Sequence, residues 1–370
     1  MRAVVVSRVY ADPATRGKLK ALAGLGVSLA AAVPDRWSPP GLGAEQQTSY
    51  GDDAGVRTVP IPVRGSTAAG GDPVWTRTAL RRLFTDFRPE LIQIEEEPWT
   101  RAAATAAALA RRLHIPYTVL TRESLPISPG ALGRLRRSGV LRQAKGLAGI
   151  NELAAKLLSR QHPTLAVRVL PQVGVSVPFQ GSRPARTGLT IGFFGRLLPE
   201  KGLDLVFRAG VKLIGRWSII VVGTGPAQEE LEALAERLGI AGRVTWLGSL
   251  PRRRVDEVWP LLDCVVLPSR TAPHWIETMP RAAIEAMANG VPVVVSTAGV
   301  LPEIVGQAGV IVPEENVDAI ADALQRLHDD PAERERLATE GRRRVMGDFT
   351  DAAIAEKTLR FWRDAIAATA

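Results

Sequence analysis

Short apolar runs alternate along this chain with longer stretches in which apolar residues recur at helical spacing. The first half contains AVVVS, VSLAAAVP, LIQIEEEP, YTVLT, GLAGIN and VRVLP, each bounded by proline, glycine or polar residues. Such runs predict buried strands. Helical patterns such as WTRAAATAAALARRL lie between them. The second half repeats the theme with LTIGFFG, WSIIVVG, VTWLG, CVVLPS, VPVVVS and GVIV. Regular alternation of strand and helix predicts parallel sheets with right-handed crossovers, an α/β fold. Eleven or twelve strands are too many for one compact sheet, so the pattern predicts two doubly wound domains. Periodicity is weakest in PQVGVSVPFQGSRPARTG, residues 171–188, which reads as a linker. The domain boundary is expected between residues 178 and 179.

The length of 370 residues agrees with two cores. Hydrophobic residues make up 46% and charged residues 23%, an ordinary balance for a globular protein. With Cys264 the single cysteine, no internal disulfide can form, which fits a reducing compartment. No apolar run approaches the ~20 residues needed to span a bilayer. The opening MRAVVVSRVYADP is too short in apolar residues for a signal peptide and reads as a first buried strand. A cytoplasmic protein is expected, with the inner face of the membrane open to it. Charge changes this picture in one respect. Residues 1–180 carry 24 Lys/Arg against 13 Asp/Glu, whereas the rest of the chain is close to neutral. Arg134, Arg136, Arg137, Arg142 and Lys145 concentrate the excess. A basic half suits an anionic partner, whether a phosphorylated acceptor, an anionic membrane surface or nucleic acid. A merely solvated basic helix accounts for it equally well.

Candidate chemistry gathers in the second half. In IGFFGRLLPEKG a strand ends near Gly195, and Arg196 and Lys201 follow. Ligands of open α/β sheets sit beyond the carboxyl ends of the strands. Two cations there, with Gly195 and Gly202 allowing close backbone approach, suit a diphosphate; two ordinary loop cations are the plainer alternative. WSIIVVGTGPAQEELEALA resembles a dinucleotide motif, but Gln228 stands where the third glycine belongs and no acid closes the next strand. NAD binding is therefore rejected, and Gly223 is kept in a loop lining a nucleotide site. In ETMPRAAIEAMANG, residues 277–290, Thr278 is expected to cap a helix and Pro280 to sit early in it. The helix should continue past Glu285 to about Asn289 and stop at Gly290. Its amino end favours phosphate. Glu277 could accept sugar hydroxyls and Glu285 those of a ribose. The apolar neighbours of Glu285 predict partial burial without a partner, which is costly for an idle surface charge.

FGRLLPEKG, VVGTGPAQEELEALA, RVTWLG, LPSR, the two glutamates Glu277 and Glu285, EAMANGVPVVVSTAGVLPEIVG and AGVIVPEE occur in the order that resembles retaining glycosyltransferases of the GT4 type. The resemblance implies GT-B architecture: two facing doubly wound Rossmann-like domains with a cleft between them. Residues 1–178 would form the acceptor side and 179–350 would bind the nucleotide sugar. A closing helix over 351–370 would cross back onto the first domain. It implies that Glu277 contacts the donor sugar, Glu285 the ribose, and Arg196 and Lys201 the diphosphate. RVTWLGSL, up to Leu250, resembles the base-contacting segment. Thr278, Met279 and Pro280 fall where many relatives read glycine, phenylalanine and glycine, and Pro280 has no N–H to offer a sugar. ATRGKLKALAG resembles the family's first loop, with Gly17 and Lys18 facing the cleft. Many relatives carry a histidine after a strand like YTVLT; here Thr121-Arg122-Glu123-Ser124 stands there, and Glu123 is open as a substitute. Glu95, Glu96 and Glu97 with Trp99 could serve the acceptor hydroxyl or form a solvated loop.

The implied reaction moves a hexosyl group from a UDP- or GDP-sugar to a small-molecule, glycan or lipid-linked acceptor. Arg196, Lys201 and the helix start would stabilise charge on the departing diphosphate. No carboxylate nucleophile of the glycosidase kind is identified. A front-face route, in which the leaving phosphate helps deprotonate the acceptor, asks less of the sequence. No His/Cys/Asp cluster has metal-ligand spacing, so no essential metal or other cofactor is expected. Two rivals stand beside this. A sugar-nucleotide epimerase shares the architecture but needs no acceptor. A basic nucleic-acid-binding protein fits the arginines, yet aromatic residues are only 5%.

Overall fold

The computed structural model describes residues 1–38, 45–65, 71–163, 165–177 and 188–368. Residues 178–187 of the expected linker, and the expected 178/179 boundary with them, lie outside the described residues. The chain divides into two compact units, one of Met1–Gly174 with Thr350–Ala370 and one of Val175–Phe349.

The first unit is built on an eight-stranded sheet. Its strands run in the order Val167–Val169, Gly146–Gly149, Tyr117–Thr121, Leu91–Ile94, Arg2–Val6, Ser28–Pro34, Val56–Ile61 and Gly51–Asp53. All neighbours are parallel except the last pair. Both faces of the central strands are covered, so Ala3–Val6 and Leu91–Ile94 are buried residue after residue. That is why they read as unbroken apolar runs. The edge strand Gly51–Asp53 and its neighbour Val56–Ile61 are not among the twelve runs. Gly51–Asp53 reads GDD, and Arg57, Thr58 and Pro60 interrupt the apolar signal of Val56–Ile61. The last helix, Asp351–Ala367, belongs to this unit. Its Trp362 is fully buried and donates through Nε1 to Gln93 Oε1.

The second unit carries a six-stranded parallel sheet. Its order is Val244–Trp246, Trp217–Val222, Leu189–Phe194, Cys264–Leu267, Val293–Ser296 and Val310–Val312. In chain order this is 3-2-1-4-5-6, the doubly wound arrangement. The order reverses between Leu189–Phe194 and Cys264–Leu267, which pair through Ile191–Cys264 and Gly192–Val265. The crevice beyond the carboxyl ends of those two strands is where such sheets bind ligands. Burial pushes the Cys264 thiol well above its usual range, so it is a core residue with no chemistry at pH 7.

Candidate functional site

Beyond the strand Leu189–Phe194 the chain enters the loop that holds Arg196 and Lys201. Gly195 sits at φ 149° and donates to Val222 O at 3.0 Å. Gly223 at φ 134° donates to Gly248 O at 2.8 Å. A Cβ on Gly223 would lie 1.8 Å from Gly195 O, so the two loops touch backbone to backbone. Glycine is needed here for packing as much as for any ligand. Leu250, half-buried, ends the loop after Val244–Trp246, two residues beyond Gly248.

Lys201 closes the one-turn helix Pro199–Lys201. Its Nζ donates to Glu277 Oε2 at 2.6 Å and stands 5.0 Å from the centroid of the Trp275 ring. Glu277 Oε2 also accepts from Ser269 Oγ at 3.1 Å, and Ser269 follows the strand Cys264–Leu267 by two residues. Lys201 and Glu277 therefore join the ends of the two strands at the switch point. Arg196 is exposed and makes no ion pair among the described residues. Arg196 thus leaves an exposed guanidinium in the same loop as Lys201.

The glutamate segment departs from expectation in two ways. The helix spans Arg281–Ala288 with Pro280 as its N-cap, so Thr278 is not the cap and Pro280 precedes the helix. The ring of a proline disfavours the helical conformation in the residue before it, which bars Met279 and everything earlier from the helix. Arg281 N instead bonds back to Met279 O at 2.8 Å. Thr278 and Met279 are half-buried and Pro280 is buried. Secondly, Glu285 is buried but partnered, because Arg281 Nε donates to its Oε1 at 2.6 Å one turn away. Arg281, Ser269 and Trp275 were missed by the sequence reasoning. The four-residue spacing of Arg281 and Glu285 was the available signal for the first. Gly290 ends the segment at φ 63°, as expected of a helix terminator.

The first unit contributes Gly17 and Glu123. A Cβ on Gly17 would lie 1.9 Å from Asp351 Oδ2, so this glycine lets two helices of the same unit meet. Lys18, expected to face a cleft, is fully buried and donates to Glu95 Oε1 at 2.7 Å. Tyr10 Oη, Gln93 Nε2 and Gln172 Nε2 donate to the same carboxylate, which saturates it. Glu96 is clasped by Arg8, with Nη2 at 2.7 Å from Oε2. Glu97 accepts from Thr121 Oγ1 and Arg122 N. Glu123 accepts from Ile127 N at 3.0 Å and from Arg137 Nη2 at 2.9 Å. Burial raises both the Glu97 and the Glu123 carboxyl above the ordinary range. Glu95, Glu96, Glu97 and Glu123 are thus tied up internally, and Arg137, stacked over Trp99 at 5.0 Å, is a structural residue rather than part of a free basic patch.

Comparison with known proteins agrees with this geometry. Residues 179–344 match the model for "Glycosyl transferases group 1" and residues 11–172 that for "Glycosyl transferase 4-like domain". The chain is 27% identical to the 2-deoxystreptamine glucosyltransferase of Streptomyces kanamyceticus, over 79% of this chain and 84% of that one. It is 34% identical to a GDP-mannose-dependent alpha-(1-6)-phosphatidylinositol monomannoside mannosyltransferase of Mycolicibacterium smegmatis, over 44% of this chain and 43% of the relative. An uncharacterised glycosyltransferase of Methanocaldococcus jannaschii is 32% identical over 47% of this chain and 44% of its own length, so two of these three matches span less than half of the relative. Among solved structures, sucrose-phosphate synthase from Thermosynechococcus elongatus superposes with a TM-score of 0.75 at 19% identity, covering 100% of both chains. HepE of Anabaena in complex with UDP-glucose superposes with a TM-score of 0.68 at 16% identity, over 98% of this chain and 99% of that one. The chain belongs to the group 1 glycosyltransferase family, with a 4-like first domain and the α/β architecture of GT-B enzymes.

Proposed function

We propose that the protein moves a hexosyl group from a UDP- or GDP-sugar to an acceptor hydroxyl with retention at the anomeric carbon. The observation that carries this is the Lys201–Glu277 pair, joined with exposed Arg196 at the switch point of the second sheet. Retention rests on the GT4 resemblance of the segments around these residues. A nucleotide-sugar donor is supported by HepE, solved with UDP-glucose, and by the GDP-mannose-dependent relative.

In this reading Arg196, Lys201 and the amino end of the helix Arg281–Ala288 take up the charge that grows on the departing diphosphate. Binding of the diphosphate draws Lys201 toward the phosphates and frees Glu277 Oε2 to accept a sugar hydroxyl. Glu285, oriented by Arg281, accepts the ribose hydroxyls. Gly223 and Leu250 border the nucleotide. Thr278, Met279 and Pro280 line the sugar's side of the site. The departing phosphate takes the acceptor's proton, so no carboxylate nucleophile is required. Glu123, held by Arg137 and Ile127 N, is given no part in the transfer. Because protein cations meet the diphosphate, turnover should survive a chelator. The acceptor is a small molecule, a glycan or a lipid-linked hydroxyl compound.

The test is a panel of nucleotide sugars followed by thermal unfolding and by product release with and without acceptors. A true donor at about 100 times its Kd should add roughly 2.7 kcal/mol of stability. If no nucleotide sugar stabilises the protein, the reading falls. Conversion of a nucleotide sugar to its epimer without any acceptor would replace transfer by epimerisation.

A further inference from the structure

The helix Ala131–Leu141, of sequence ALGRLRRSGVL, buries only Gly133, Val140 and Leu141. Leu132 and Leu135 are 69% and 70% exposed, and Ile127 in the loop before the helix is 48% exposed. Residues three apart in a helix are neighbours on its surface, so the two leucines form one apolar spot. At 100° per residue, Arg136 flanks the spot on one side and Arg142 on the other, with Arg134 about 80° further round from Arg142. Arg136, Arg142 and Lys145 make no ion pair among the described residues, and Arg134 has only Pro129 O, at 3.3 Å. No Asp or Glu occurs between Glu123 and Glu152. The one cation of the stretch that is spoken for, Arg137, points to Glu123 on the buried side.

We propose that the face from Ile127 to Lys145 docks on an anionic phospholipid bilayer, with Leu132 and Leu135 entering the headgroup layer and Arg134, Arg136, Arg142 and Lys145 meeting lipid phosphates. Charge complementarity selects an anionic occupant, since the stretch carries basic side chains and no acid. The leucines select lipid over nucleic acid. A phosphate backbone needs only the cations, and the helix has no aromatic residue on which a base could stack. A short helix with an apolar spot between basic flanks is suited to lie in the plane of the interface. No helix among the described residues is long and apolar enough to cross a membrane. The attachment is therefore reversible and salt-sensitive. The proposal does not depend on the transfer reaction, because it concerns a surface of the first unit alone.

The experiment is co-sedimentation of the full chain with vesicles of phosphatidylcholine alone and of phosphatidylcholine mixed with phosphatidylglycerol. Two variants are compared at equal unfolding midpoint: Leu132→Ser with Leu135→Ser, and Arg136→Gln with Arg142→Gln. The wild type should favour the anionic vesicles by about tenfold or more, and each variant should lose roughly tenfold of that binding. Arg137 is left in place because it holds Glu123. Equal binding of the leucine variant and the wild type to anionic vesicles would overturn the proposal and leave a solvated basic face. So would displacement of the protein from vesicles by a single-stranded oligonucleotide that the leucine variant binds as tightly as the wild type does. Indifference of the wild type to phosphatidylglycerol would overturn it as well.

Discussion

Exchanging Lys201 for methionine removes an ammonium from a carboxylate that has little else. The Lys201 and Glu277 side chains are 19% and 7% exposed and meet at 2.6 Å. Without Lys201, Glu277 Oε2 retains Ser269 Oγ at 3.1 Å. Breaking a fully buried pair by deleting one partner costs about 3–5 kcal/mol. Lys201 is partly solvated, so the cost here should be about 2–3 kcal/mol. A unit of this size loses roughly 2–4 °C of Tm per kcal/mol, which gives a drop of about 4–12 °C in the transition of the second unit. Glu277→Gln should cost less, about 1 kcal/mol, because Lys201 can turn to water and an amide oxygen still accepts from Ser269. The double variant should then be more stable than the sum of the two losses allows, by roughly 1–2 kcal/mol. Urea unfolding monitored by tryptophan fluorescence measures all four corners of the cycle. Additivity within about 0.5 kcal/mol would refute the coupling. Turnover is the second readout. If Lys201 also meets the leaving diphosphate, Lys201→Met should lower turnover by about 10²–10³. A variant that loses stability but turns over its best donor unchanged would make Lys201 a strut only.

Removing the two glutamates should leave different traces. Glu285→Ala should weaken the free nucleoside diphosphate and the intact donor alike by about 1.5–3 kcal/mol, while Glu277→Ala should spare the former and damage the latter; calorimetry with both ligands checks this. Gly223→Ala should cost more than about 3 kcal/mol or prevent folding, because its Cβ would lie 1.8 Å from Gly195 O at φ 134°; a urea midpoint within experimental error of the wild type would contradict that packing. Burial raises the Glu97 carboxyl above its ordinary 4.5, so the folded state holds this proton longer than the unfolded chain does. Its contribution to stability is complete below about 4.5 and is lost as pH rises through the folded value. Glu97→Gln, which does not titrate, should therefore gain on the wild type as pH increases across that window, as measured by unfolding at a series of pH values.

Much of this fold could be read from the apolar runs, and the reason is physical. Parallel sheets covered on both faces make strands such as Val293–Ser296 buried at every position, and that burial writes a contiguous signal. Val56–Ile61 lies near an edge, where Arg57 and Pro60 are tolerated, and its signal dissolves. In the candidate site, Arg196, Lys201, Glu277 and Glu285 stood out because they follow strand ends or sit at helix spacings. Their pairing did not. Lys201 finds Glu277 76 residues away, and Lys18 finds Glu95 77 residues away, so only the folded backbone reveals that these charges neutralise each other. Local rules also compete: the capping preference of Thr278 gives way to the restriction that Pro280 places on Met279.

The position of the helix Asp351–Ala367 in the first unit bears on how the protein comes into being. The second unit is inserted into the first, and its two ends are joined by the bond from Val175 N to Phe349 O at 3.0 Å. During synthesis Gln93 is made long before its partner, because fully buried Trp362, which bonds it, follows 269 residues later. The inserted unit can complete its own sheet while the first still waits for its last helix. A nascent chain thus exposes the surface around Gln93 and Gly146 until the helix Asp351–Ala367 emerges, and this period is when a chaperone would have most to do.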